Sequence, residues 1–264
     1  MSNFPETLVY RPPHLGLDLW RPSGDPKGLV VHAHGGGFVH GSRNDRIARH
    51  FGPLLAEMGL AFASISYRKA GAPRRAFGPD MLERIHAAAA QSTAFYQTIR
   101  PSLLGPALYR AAVDYADAAR FLLRDDRTGL ANLPWIAMGN SSGGLAAISV
   151  AHGLSDWTRP ADLPAPRKSI AIAGVVPQPW VVDANGPDVA LLCARGDEVL
   201  PMGEVAKLQA FTEQHGLPVS IQKIPYGKHT RPIKEILPSK DSSTGKWCDW
   251  FLDEIAATFM IGAR

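Results

Sequence analysis

Short, nearly continuous apolar runs recur along this chain, most of them ended by glycine and followed by a stretch of helical periodicity, and that alternation leaves few folds open. "KGLVVHAH" runs into three glycines, and "LAFASISY", "LPWIAMG", "SIAIAGVV", "DVALLCARG" and "PVSIQKIPY" follow in the same style. A strand that is apolar at almost every position is buried on both faces, as in a parallel sheet covered by helices. Between these runs "NDRIARHFGPLLAEMG", "ALYRAAVDYADAARFLL", "GGLAAISVAHGL" and "VAKLQAFTEQHG" carry helical spacing, and "KWCDWFLDEIAATF" supplies a closing helix. The βαβ rhythm predicts an α/β fold with a mostly parallel central sheet and helices on both sides. "ETLVY" and "LGLDLWRP", separated by "RPPH", read as a hairpin-like pair of strands ahead of it. At 264 residues the chain fits one domain, 1–264, with an insertion.

The insertion is residues 69–105, which separate a strand from its helix where a few residues normally suffice. Within it Met81, Leu82, Ile85, Ala88 and Ala89 keep helical spacing between bracketing prolines. We read it as a small helical lid over one end of the sheet; a surface excursion is the plainer alternative.

Two glycine motifs carry the chemistry. "GNSSG" is G-x-S-x-G, placed directly after one predicted strand and directly before a helix. Glycines on either side of the central serine permit a tight strand-to-helix turn that raises a hydroxyl above the sheet, and that frame selects Ser141 as nucleophile. Ser142 falls at the next position, where its backbone N–H at the helix N-terminus is the group that counts. Without its context the pattern would be only a turn. "HGGGF", residues 34–38, follows the first buried strand. Its three glycines let backbone N–H groups converge on one developing oxyanion. Neither a phosphate loop nor the G-x-G-x-x-G frame is present, so nucleotide binding is disfavoured.

A base and an acid should follow Ser141. Asp197 in "ARGDEVLP" and His229 in "IPYGKHTRP" each stand just past a predicted strand end, where open α/β sheets place their sites. Glu198 competes with Asp197 for the acid's part. The order serine, acid, histidine is that of folds with a nucleophile elbow. His215 reads as a helix cap, His32 as buried in a strand, and His86 as lying on the lid helix. No H-E-x-x-H or Cys/His cluster suggests a metal, and no cofactor is expected.

With these residues in hand the chain resembles the α/β-hydrolase superfamily, and within it the bacterial hormone-sensitive-lipase-like serine esterases. "LDLWRPSG", "GLVVHAHGGGFVHGS", "FASISYR", "AAVDYADAARFLL", "GNSSGG", "ARGDEVLP" and "IPYGKH" follow that family's landmarks in order over nearly the whole chain. The resemblance implies an α/β-hydrolase fold and a triad of Ser141, His229 and Asp197. It also implies an oxyanion site from the N–H groups of Gly36, Gly37 and Ser142, a loop-shaping role for His34 and a structural one for Asp114. Asn140 stands where the family usually has an acidic residue, and Ser142 where it has alanine. Phe38, Phe77, Met81, Phe95 and Tyr96 are candidates for an acyl pocket, or equally for packing between lid and core.

The expected function is a serine carboxylesterase acting on small to medium esters through an acyl-enzyme. Two alternatives stay open: amide, carbamate or deacetylation chemistry with the same residues, and a catalytically silent binding module. Lys and Arg exceed Asp and Glu by 28 − 24 = 4 without forming a run, so no nucleic-acid surface is expected. The first residues lack a targeting pattern and no apolar run nears the roughly 18 residues of a membrane helix. Cys193 lies in an apolar run and reads as a reduced core thiol. A cytoplasmic enzyme with a small-molecule ester as partner is the expectation; a homodimer is the assembly left open.

Overall fold

Alternation along each apolar run decides the architecture. In the computed structural model, which describes residues 4–237 and 245–260, successive side chains of one strand enter two different cores. Leu29, Val31 and Ala33 pack on one face of the sheet and Val30 on the other; Trp135 and Ala137 are likewise opposed by Ile136 and Met138. Side chains alternate at period two, so a strand covered on both faces must be apolar throughout. Each fully buried Leu, Ile or Phe removed from water contributes roughly 1.5–3 kcal/mol, and both faces are filled with such residues.

The elements in chain order are β1 (Glu6–Arg11), β2 (Leu15–Trp20), β3 (Leu29–Ala33), α1 (Arg46–Glu57), β4 (Ala61–Ile65), α2 (Pro79–Phe95) and α3 (Pro106–Arg124). There follow β5 (Trp135–Asn140), α4 (Ser142–His152), β6 (Lys168–Ile172), β7 (Asp188–Ala194), α5 (Met202–Gln214), β8 (Val219–Ile224), α6 (Arg231–Ile236) and α7 (Gly245–Phe259). The eight strands form one sheet in the order β1-β2-β4-β3-β5-β6-β7-β8. β2 runs antiparallel to both its neighbours, and the remaining pairs are parallel. From β3 the chain crosses through α1 to β4 on one side; from β5 it crosses through α4 to β6 on the other. The reversal leaves a crevice at the C-terminal ends of β3 and β5, the position where open α/β sheets bind ligands.

Helix boundaries follow local chemistry. The Asp45 carboxylate accepts from the Ala48 N–H at 2.8 Å and caps α1, and Pro79 and Pro106 begin α2 and α3 at first-turn positions where no N–H is missed. Tyr115 of α3 reaches into the sheet, donating to the Val31 carbonyl at 2.5 Å and accepting from the Met138 N–H at 2.9 Å. Asp114 beside it accepts from the Arg68 backbone N–H at 2.8 Å and pairs with the guanidinium groups of Arg11 and Arg68. It is fully buried with its charge compensated.

Two elements depart from the sequence reading. β6 stops at Ile172, short of "AGVV", because Ala173 takes a positive φ of 52° that no strand continues through. α6 was not expected; its signal is Pro232 at the first turn after Thr230. Among the described residues no helix is long and apolar enough to cross a membrane.

Candidate active site

The turn between β5 and α4 is built by close backbone approach. An ideal Cβ on Gly139 would lie 2.3 Å from the Gly143 carbonyl, and one on Gly143 would lie 2.1 Å from the Ala33 carbonyl oxygen and 2.4 Å from that of His34. Only hydrogen fits at either position. The strain sits on the serine between them: Ser141 has φ 51° and ψ −125°, a region a non-glycine residue occupies at a cost of roughly 1–3 kcal/mol. Its N–H is held by the Ile172 carbonyl at 2.8 Å. It occupies the N-cap position of α4 yet its hydroxyl makes no capping bond; instead Oγ lies 2.8 Å from Nε2 of His229.

The glycine loop after β3 is fastened to this turn. Asn140 Oδ1 accepts from the Gly35 N–H at 3.1 Å, and Ser142 Oγ accepts from the Phe38 N–H at 3.3 Å. Gly36 and Gly37 have φ of 116° and 62°, and the Gly36 carbonyl accepts from the Val39 and His40 N–H groups. No described residue takes the Gly36 or Gly37 N–H, and the Ser142 N–H is one of the orphan donors of the first turn of α4. Backbone N–H groups left without an acceptor are of the kind that can hold an oxygen that gains negative charge. His34 stacks on Tyr67 with ring centroids 4.4 Å apart, its Nδ1 meets the Gly35 carbonyl at 2.7 Å, and Tyr67 donates to the His34 carbonyl at 2.8 Å. Burial lowers the His34 pKa to about 4, so this ring is neutral near pH 7.

The acid and the histidine come from the loops after β7 and β8. Asp197 is buried, and its Oδ1 accepts from the Val199 and Leu200 N–H groups at 2.8 Å each. His229 Nδ1 lies 2.8 Å from Asp197 Oδ2 and 3.0 Å from Oδ1. An N–H on Nδ1 facing the carboxylate leaves Nε2 as the acceptor toward Ser141. Glu198, exposed, accepts instead from the His229 backbone N–H at 3.2 Å, and the N–H donors hold its carboxyl below the usual range. The two acids thus grip one histidine differently, Asp197 at the ring and Glu198 at the main chain. The Gly196 N–H donates to the Gly227 carbonyl at 3.0 Å and ties the two loops together.

No family model matches the chain, and no curated protein matches it in sequence. Among solved structures it is similar to an esterase of the planctomycete Thermogutta terrifontis with propionate bound, at 14% identity and TM-score 0.69, over 100% of this chain and 98% of that one. The same organism's esterase 2 phosphorylated by paraoxon matches at 15% identity and TM-score 0.65, over 95% and 94% of the two chains. Its butyrate-bound form matches at 15% identity and TM-score 0.63, over 95% and 94%. The chain has the α/β-hydrolase fold.

Other residues singled out by sequence fall at several places in the fold. Phe38 and Tyr96 are fully buried; Phe38 meets Tyr67 edge-on, and Tyr96 donates to the Val176 carbonyl at 2.6 Å. Phe77, Met81 and Phe95 are partly buried against the same core, and Phe95 packs against Trp180 and Phe211. His215 caps α5, with Nδ1 2.8 Å from the Phe211 carbonyl, and His32 is buried beside Asp45 at 3.2 Å. His86 is exposed on α2. Burial pushes the Cys193 thiol up to about 12, leaving it an inert core group, and both cysteines are free. Among the described residues no group of three or more His, Cys, Asp or Glu side chains could hold a metal ion. Sequence reasoning missed the side-chain parts of Asn140 and Ser142, whose only signal was their place inside the elbow motif.

Proposed function

We propose that this protein is a serine carboxylesterase that hydrolyses small to medium esters through an acyl-enzyme. The observation that carries the reading is a strained serine whose hydroxyl forgoes its helix-capping bond to lie 2.8 Å from a histidine, which is itself bound to a buried aspartate. A hydroxyl, a base and an orienting acid in hydrogen-bonded succession are the parts of nucleophilic acyl transfer.

In the proposed cycle Ser141 Oγ attacks the ester carbonyl while His229 Nε2 takes its proton. The carbonyl oxygen becomes an anion held by the N–H groups of Gly36, Gly37 and Ser142. His229 then returns the proton to the departing alcohol, and Asp197 stabilises the imidazolium that exists in between. Water, activated by the same imidazole, releases the acid and restores Ser141. No cofactor enters any step. Propionate and butyrate bound to the Thermogutta esterase, and its phosphorylation by paraoxon, support short acyl groups and a nucleophilic serine for this chain too.

The segment between β4 and α3 is proposed as a lid. α2 lays Ile85, Ala88 and Ser92 inward, and the chain just past its C-terminal end is tied to the loop after β6 and to the first turn of α5. Tyr96 bonds the Val176 carbonyl, and the Thr98 N–H and hydroxyl donate to Glu204 at 2.8 and 2.6 Å. Both anchors lie at the sheet end that carries Ser141. Two free thiols support a reducing, cytoplasmic setting.

The test is turnover of a p-nitrophenyl ester series from acetate to octanoate, with matched anilides and a fluorophosphonate label. Ester turnover with labelling at Ser141, and anilide turnover far slower, is the expected result. Anilide rates equal to ester rates would replace the reading with an amidase, and neither turnover nor labelling would leave a binding module.

A further inference from the structure

We propose that Tyr226, Arg231 and Glu235 form a side-chain staple that positions the His229 imidazole, with Arg231 as its central positioning residue. The inference rests on the reading of His229 as the general base. His229 sits in an irregular segment between β8 and α6, so regular secondary structure does not fix its orientation. Tyr226 and Arg231 bracket that segment and are joined through their side chains. The Arg231 guanidinium lies over the Tyr226 ring, 4.8 Å from its centroid. It also pairs with the buried carboxylate of Glu235, one helical turn further on, and the Tyr226 hydroxyl donates to the same carboxylate oxygen at 3.2 Å.

The main chain follows the staple. The Arg231 N–H donates to the Lys228 carbonyl at 2.8 Å, closing the turn that presents His229. Gly227, with φ 86°, lies so near the Arg231 stem that a Cβ there would be 2.4 Å from Cγ and 2.5 Å from Cβ of the arginine. None of the three side chains has a hydrogen bond or ion pair to Ser141, Asp197 or the His229 ring. They act by restricting the loop: conformations that carry Nε2 away from the Ser141 hydroxyl lower the productive fraction.

Removing Arg231 alone would leave Glu235 buried and unpaired, which by itself destabilises a fold, so the decisive variant removes both charges. For Arg231→Met/Glu235→Met, kcat on p-nitrophenyl butyrate should fall roughly tenfold while KM stays within about twofold, since the loop and not the acyl pocket is loosened. Arg231→Lys, which can still pair with Glu235 and sit over Tyr226, should recover kcat to within about threefold of the native enzyme. A kcat within about twofold of native in the double variant, or a loss carried by KM, overturns the proposal. A second readout needs no substrate: the downfield proton resonance of the His229–Asp197 hydrogen bond should be sharp in the native protein and exchange-broadened in the double variant. An unchanged resonance overturns the staple. A native protein that shows the broadening contrast but never turns over an ester sinks the esterase reading and leaves the staple standing.

Discussion

The two halves of the candidate site are held by different means. On the nucleophile side the chain is packed backbone against backbone: Gly139 against Gly143, and Gly143 against the carbonyls of Ala33 and His34. On the other side Asp197 and His229 stand on loops, fixed by side-chain hydrogen bonds to the main chain and to one another. Position is set by steric exclusion in the first case and by a set of separable bonds in the second. The nucleophile half should therefore fail abruptly when atoms are added, and the acid–histidine half should lose function in steps as bonds are removed.

The largest effect expected is for Ser141→Ala, a loss of kcat/KM of about 10⁴-fold or more with the fluorophosphonate label abolished. Ser142→Ala should cost no more than about tenfold, because it loses one hydrogen bond to the Phe38 N–H and keeps its own backbone donor. Comparable losses from the two would mean that the adjacent serines share the nucleophile's part. On the other half, Asp197→Asn should lower kcat by about 10⁴-fold through the wrong imidazole tautomer while leaving the fold intact. Glu198→Gln keeps an acceptor for the His229 N–H and should stay within about threefold. If Glu198→Gln proved the worse of the two, the assignment of the acid would be reversed.

The contrast in packing has its own test. Gly143→Ala drives a methyl into two carbonyl oxygens and should destabilise by about 3 kcal/mol or prevent folding. Gly227→Ala meets a positive φ and the Cβ and Cγ of Arg231, a clash that this exposed loop can relieve by shifting where the packed turn cannot, and should cost about 1–2 kcal/mol. Urea unfolding of the two variants measures the difference directly; equal losses would remove the distinction between the halves.

Much of this was legible in sequence, for a physical reason. Strands buried on both faces must be apolar throughout, so β3 to β7 announced themselves, and a serine framed by glycines between a strand and a helix could mark only one kind of turn. Asp197 and His229 were legible as polar residues just past strand ends. What was hidden depended on where side chains meet across the fold. Nothing local in "GNSSG" tells that Asn140 and Ser142 reach back to the glycine loop, or that Ser141 itself bears the positive φ the glycines seemed to be there to provide. Nor does "YGKHTRPIKE" reveal that its tyrosine, arginine and glutamate converge.

A last expected effect, spread over a pH range, concerns the half of the site around Ser141 as acid is added. Burial holds the His34 imidazole neutral down to about pH 4 in the folded protein, against an ordinary value of 6.5. Between those values the unfolded chain binds a proton that the folded chain refuses, so the stability tied to this group is complete above pH 6.5 and is lost as pH falls through 4. The size of that loss is about 3 kcal/mol at most. His152 has its pKa lowered to about 4 by burial as well, so the native protein alone would not separate the two. His34→Asn offers an amide N–H to the Gly35 carbonyl in place of Nδ1 and cannot titrate. Its unfolding free energy should be lower than the native one at pH 7, from the lost stacking on Tyr67, and should fall less steeply toward pH 4. Parallel curves for the two proteins would mean that the glycine loop is not where the acid sensitivity resides.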